Sequence, residues 1–222
     1  MAKLLIVEDH LKMVRMIQKH IQEINPLLTS GNTFCFSPKP PLKLCSLDSI
    51  PNEPDRVLLA GEQNTVFSSV FTFLNEHSYE DVLILIDVLL NSQNISAPSL
   101  ERYRADREYS CELYAELLRV KNGKQIPNCN NINPNRYFHV IYSRSDSSIG
   151  VVAAALSELY CNQSKTDKQF FPKECSLFKN ISWCRNGYDA TDPDFGVSES
   201  QKDGSTPLAL PSGYKEFIRD LK

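Results

Sequence analysis

The chain has 222 residues, 41% of them hydrophobic, and a formal net charge of -3. That length suits one large domain, or one domain carrying long insertions, and the mildly acidic balance lacks the basic footprint of a nucleic-acid module. Seven cysteines are scattered without a C-x-x-C pair, which leaves a structural zinc site unsupported and, with no export signal in view, predicts a cytoplasmic, reducing setting.

The chain opens with "KLLIVEDH", four consecutive aliphatic residues ended by Glu8 and Asp9. A short apolar run bounded by charge reads as a buried strand, too short to span a bilayer. Leu11, Val14, Ile17, Ile21 and Ile24 then recur at helical spacing, and Pro26 stops that helix. Residues 26–55 are rich in Pro, Ser and Asn and read as a long irregular excursion with room for a short hairpin. "RVLLAG" (56–61) reads as the second strand, and "NTVFSSVFTFLNEH" (64–77) as a helix with Val66, Val70, Phe73 and Leu74 on one side.

"DVLILIDVLL" (81–90) is the strongest strand signal, apolar on both faces, as at the centre of a parallel sheet covered by helices. It also contains Asp87, and a lone buried carboxylate is costly unless it is paired, hydrogen-bonded or metal-bound. A long helix follows over 99–121, in which Tyr103, Tyr109 and Tyr114 read as packing residues. "YFHVIYS" (137–143) reads as a strand, "SSIGVVAAALSELY" (147–160) as a helix and "KQFFPKE" (168–174) as a short last strand. Residues 180–212 read as irregular, and "SGYKEFIRDLK" (212–222) as a closing helix. The four histidines share no spacing and read as surface or core residues.

Strands alternating with helices predict an α/β fold with a parallel sheet. In such sheets ligands bind outside the C-terminal strand ends, near the point where strand order reverses. The strand ends deliver Glu8 and Asp9, then Asp87, then Ser143. If the first and third strands are neighbours, three carboxylates meet, and clustered carboxylates repel unless a cation is present. Oxygen-only ligands predict a hard ion, Mg²⁺, with room beside it for a phosphoryl group. Each residue also has a plainer reading. Glu8 and Asp9 suit the start of a helix, Asp87 suits a satisfied buried carboxylate, and Ser143 suits a loop.

These segments resemble the receiver domain of two-component response regulators. "KLLIVEDH" resembles that family's first strand with its acidic pair, "DVLILIDVLLN" the strand bearing the phosphoacceptor aspartate, and "FHVIYSRSD" the strand ending in Ser or Thr. The resemblance covers 3–25 and 56–91 well and 110–160 moderately. It implies a doubly wound, five-stranded parallel sheet of order 2-1-3-4-5 with helices on both faces. Residues 1–222 would form a single receiver-like domain with insertions at about 26–55, 91–109 and 180–212 and no separate output domain.

The resemblance also assigns roles. Asp87 takes the phosphoryl group. Asp9, Asp87 and the backbone carbonyl of Leu89 hold Mg²⁺, and Glu8 acts through water. Ser143 contacts the phosphoryl oxygens. Lys173 pairs with the phosphoryl group, with Lys179 as its competitor, and Phe170 falls where the family carries an aromatic switch. The implied partners are a histidine kinase or phosphotransfer protein and a downstream output protein, with no nucleic acid and no membrane. The implied chemistry is self-catalysed phosphoryl transfer and loss rather than enzymatic turnover. Two other readings remain open: a receiver-derived interaction module that phosphate does not switch, and a metal-dependent phosphohydrolase. The latter commonly wants a second acid two residues after the nucleophile, where this chain has Leu89.

Overall fold

In the computed structural model, residues 2–51, 57, 59, 62–87, 90, 100–143, 181–183 and 218–222 are described, with 100–108, 143 and 181–183 described by their backbone. The apolar run Val82–Asp87 forms strand β4, and Lys3–Val7 forms β1; every residue of both is buried. Burial on both faces marks the middle of a covered parallel sheet. The two strands pair parallel, in a register running from Lys3↔Val82 to Val7↔Ile86. On the far side of β4, Tyr137–Ser143 forms β5, also parallel, with Val82↔Tyr137 through to Asp87↔Tyr142.

The α/β class is as expected, but the sheet differs from the five-stranded, all-parallel expectation. Among the described residues it has six strands, completed by β2 (Thr33–Phe36), β3 (Leu44–Ser46) and β6 (Ile181–Trp183), in the order β3-β2-β1-β4-β5-β6. Strand β3 is antiparallel to β2, so the sheet is mixed. The second strand in chain order comes from inside the 26–55 stretch; of the strand expected at 56–61 only Val57 and Leu59 are among the described residues. Val57 and Leu59 are buried but lie outside any strand, and the Val57 N–H donates to the Asp9 carbonyl at 2.8 Å. An aliphatic run alone does not separate a strand from a buried connection. "TFCF" is made of strand-favouring residues, but turn-forming neighbours mask its pattern. The hairpin closes where the Ser37 N–H donates to the Lys43 carbonyl at 2.8 Å. Among the described residues the last strand is β6, parallel to β5 and inside the 180–212 stretch that was expected to be irregular; the expected strand at 168–174 and the helix at 147–160 lie outside the described residues.

Among the described residues, the helices α1 (Leu11–Ile24), α2 (Gln63–Glu76) and α3 (Leu100–Lys121) fall where the sequence predicts. Their buried positions include Leu11, Val14, Ile17 and Ile21 in α1, and Val66, Val70, Phe73 and Leu74 in α2. Phe34 of β2 meets Phe73 of α2 with ring centroids 4.9 Å apart, and His139 of β5 meets Tyr114 of α3 at 4.7 Å. Phe67 stacks on Tyr109 at 5.8 Å, joining α2 to α3. Tyr109 and Tyr114 of α3 thus pack as expected, and the side chain of Tyr103 lies outside the described residues.

The C-terminal segment docks on the end of α1. Asn25, the C-cap, donates from Nδ2 to the carbonyls of Ile218 (2.7 Å) and Leu221 (3.0 Å), and its Oδ1 accepts from the Leu27 N–H at 3.0 Å. Residues 218–220 are helical, and Ile218 and Leu221 are buried. One buried amide therefore stops a helix before Pro26 and satisfies two carbonyls at the other end of the described chain. Leaving such groups unpaired costs about 1–3 kcal/mol each.

His139 is fully buried, and neither ring nitrogen has a hydrogen-bond partner among the described residues. Burial, with Lys121 nearby as the lesser cause, pushes its pKa down to about 3. The folded protein thus holds a neutral imidazole where the unfolded chain binds a proton at its ordinary pKa of about 6.5. A lowered cationic pKa means that this contribution to stability is intact above about pH 6.5 and is lost as pH falls below it. Chemical denaturation of wild type and His139→Leu should show this. Between pH 7.5 and 5.5, wild type should lose about 1.4 kcal/mol more than the variant. Parallel pH profiles would contradict it.

Candidate functional site

The pairing of β1 with β4 brings the acidic residues together. In the β1–β4 register Ile6 stands opposite Leu85. Extended by two places, that register sets Glu8 level with Asp87, and Asp87 is itself opposite Tyr142 in β5. Residues two apart share a face of a strand, so Glu8, Asp87 and Tyr142 form a row across the C-terminal ends of three parallel strands. Asp9 follows at the turn into α1.

Glu8, Asp9 and Asp87 each offer a carboxylate oxygen, and these atoms all lie within 4.8 Å of one another. All three residues are buried, at 0%, 4% and 1% exposure. Carboxylates this deep exist only with strong compensation, and part of it is visible at Glu8. Its Oε1 accepts the His10 N–H at 3.0 Å, and its Oε2 accepts the Tyr142 hydroxyl at 2.5 Å. The plain capping reading of the acidic pair does not describe this arrangement. The N-cap of α1 is His10, which makes no side-chain cap; the nearby acid, Glu8, instead fixes the His10 N–H.

The donor set suits a small hard cation. Around octahedral Mg²⁺, with metal–oxygen bonds of about 2.0–2.1 Å, ligand oxygens stand about 2.9 Å apart when adjacent and about 4.1 Å apart when opposite. Carboxylate oxygens all within 4.8 Å of one another could draw in around such an ion, and less movement is needed if one carboxylate acts through water. Glu8, already held through both oxygens, is the residue suited to the outer position. A groove of about 310 Å³ between the β2–β3 hairpin and α2, lined in part by Phe34, Thr72 and His77, includes none of the three acids.

Of the other expected site residues, Ser143 is the last residue of β5, one place beyond Tyr142. Leu89, Phe170, Lys173 and Lys179 lie outside the described residues. Tyr142 is the participant that the sequence pattern did not single out. The available signal was a tyrosine at the polar end of an otherwise apolar strand, a place where a buried hydroxyl must find an acceptor.

No protein-family model, curated protein or solved structure matches the chain. Among the described residues no helix is long and apolar enough to cross a membrane.

Three buried carboxylates within one ion's reach repel when no cation is bound. Asp87→Asn should therefore stabilise the metal-free protein by about 1 kcal/mol, a rise of about 2–4 °C in Tm. Mg²⁺ at a hundred times its Kd should stabilise wild type by about 2.7 kcal/mol and the variant far less. Thermal melts with and without Mg²⁺ check both statements, and an equal Mg²⁺ shift in the two proteins would contradict them.

Proposed function

We propose that the chain is a receiver-like phosphoacceptor domain of two-component signalling, with Asp87 as the acceptor. The observation that carries this reading is the convergence of Glu8, Asp9 and Asp87 within 4.8 Å at neighbouring strand ends. The topology supports it as well. Without the antiparallel edge strand β3, the parallel strands run β2-β1-β4-β5-β6, which in chain order is second, first, third, fourth, fifth. In a doubly wound sheet of that order the ligand crevice opens at the ends of the first and third strands, where β1 and β4 end.

In this reading Asp9 and Asp87 hold Mg²⁺ directly and Glu8 holds it through water, with the Leu89 carbonyl as a further ligand. The ion, when bound, supplies positive charge that offsets the carboxylates and the transferring phosphoryl group. An Asp87 carboxylate oxygen attacks phosphorus. The bond from phosphorus to the donor breaks, at nitrogen for a phosphohistidine or at oxygen for acetyl phosphate, and the donor leaves with the electron pair. The product is an acyl phosphate on Asp87. Later attack by water on phosphorus releases inorganic phosphate and restores the carboxylate.

The added charge, about -2, attracts the Ser143 hydroxyl and the lysine that the resemblance assigns, Lys173 or Lys179. Phe170 follows as the aromatic switch, so that a local charge change biases a two-state surface. The donor is a histidine kinase or phosphotransfer protein in the cytoplasm, and the altered surface meets an output partner. The chain acts as a switch rather than a turnover enzyme; Leu89 stands where a phosphohydrolase would carry its second acid.

Incubation with Mg²⁺ and acetyl phosphate should add one phosphoryl group to wild type and none to Asp87→Asn, as read by intact-mass spectrometry. An unmodified wild type, or equal modification of the variant, contradicts the proposal. Modification together with sustained hydrolysis of phosphomonoesters would favour the enzyme reading instead.

A further inference from the structure

We infer that Tyr142 is a positioning residue for this site, setting Glu8 as an outer, water-mediated ligand before the cation arrives. The inference rests on the reading of the site as a Mg²⁺-dependent phosphoacceptor and adds to it a residue that the resemblance does not supply. Tyr142 is 1% exposed and stands opposite Asp87 in the β4–β5 register. Its hydroxyl nevertheless reaches past β4, to Glu8 Oε2 at the end of β1. Strands β1 and β5 are two spacings apart, about 9.6 Å, so the bond closes only because a tyrosine extends from one side and a glutamate from the other. The phenol therefore lies across the strand end that carries Asp87.

The consequence for Glu8 is geometric. Its Oε1 is held by the His10 N–H at 3.0 Å and its Oε2 by the Tyr142 O–H at 2.5 Å. A carboxylate held through both oxygens is fixed in orientation before any ligand binds. Buried hydrogen bonds of this kind around metal ligands commonly govern affinity by about 10–100-fold. Phenylalanine at 142 would keep the ring and remove the hydroxyl that grips Glu8.

The test is a double-mutant cycle on Mg²⁺ affinity, using full-length wild type, Tyr142→Phe, Glu8→Gln and the double variant, with calorimetry as the readout. Tyr142→Phe should weaken Mg²⁺ binding about 10-fold, and the double variant should bind about as weakly as Glu8→Gln alone, because the two residues act as one unit. Wild-type affinity in Tyr142→Phe, or losses that multiply independently, would overturn the inference while leaving the proposed function standing. A wild type that takes up no Mg²⁺ would overturn both. A second measurement needs no folded Tyr142→Phe. Mg²⁺ added to wild type should give a tyrosine ultraviolet difference spectrum that Glu8→Gln lacks. A purely structural tyrosine would give the same spectrum in both proteins, and that result also overturns the inference.

Discussion

The parallel pairing of β1 with β4 is the constraint on which the site depends. Its register runs unbroken from Lys3↔Val82 to Val7↔Ile86, and both strands are buried throughout. A slip of one residue would turn each apolar side chain to the opposite face, so the hydrophobic core itself fixes where the strands end. Those ends are acidic. The aliphatic sequence that drives burial thus also decides that Glu8, Asp9 and Asp87 meet, and the cost of packing three carboxylates together is borne by the stability of the layers beneath them. Functional sites are where such local conflicts are expected to survive.

Other polar groups inside the fold are handled differently. Asn25 has its donors and its acceptor engaged, linking the end of α1 to the C-terminal segment. His139 has no hydrogen-bond partner among the described residues and lies between the rings of Tyr114 and Tyr137. At ordinary pH it behaves as a neutral, aromatic core residue. Lys121, at the end of α3, caps this region by donating to the Tyr137 carbonyl at 2.9 Å while lying 4.2 Å from the Phe138 ring centroid. Cys35 faces Cys45 directly across the β2–β3 hairpin, and burial pushes the Cys35 thiol up to about 12. At that value it is protonated and unreactive near neutrality.

Much of the architecture was legible in the residues. The central strands were readable because unbroken aliphatic runs have few other uses, and α1 and α2 because their apolar positions repeat at helical spacing. The edge of the sheet was not. "TFCF" is short and flanked by Ser, Pro and Asn, so its strand character emerges only when β1 offers a free edge. Of "RVLLAG", the stronger apolar run, the described residues Val57 and Leu59 lie outside the sheet, with the Val57 N–H donating to the Asp9 carbonyl and the Leu59 carbonyl accepting from the Glu62 N–H. The acidic cluster was legible through chain order: a strand ending in Glu-Asp and a buried strand ending in Asp. Tyr142 was not legible, because its meaning depends on which strand lies two places away.

A phosphoacceptor site here requires that Asp9 and Asp87 grip one cation. The most direct measurement is anomalous diffraction from crystals grown with Mn²⁺ in place of Mg²⁺. A single peak about 2.0–2.4 Å from an oxygen of each aspartate, with Glu8 one water further out, is the predicted result. A peak bonded to only one of the two residues, or no peak between the ends of β1 and β4, would contradict it.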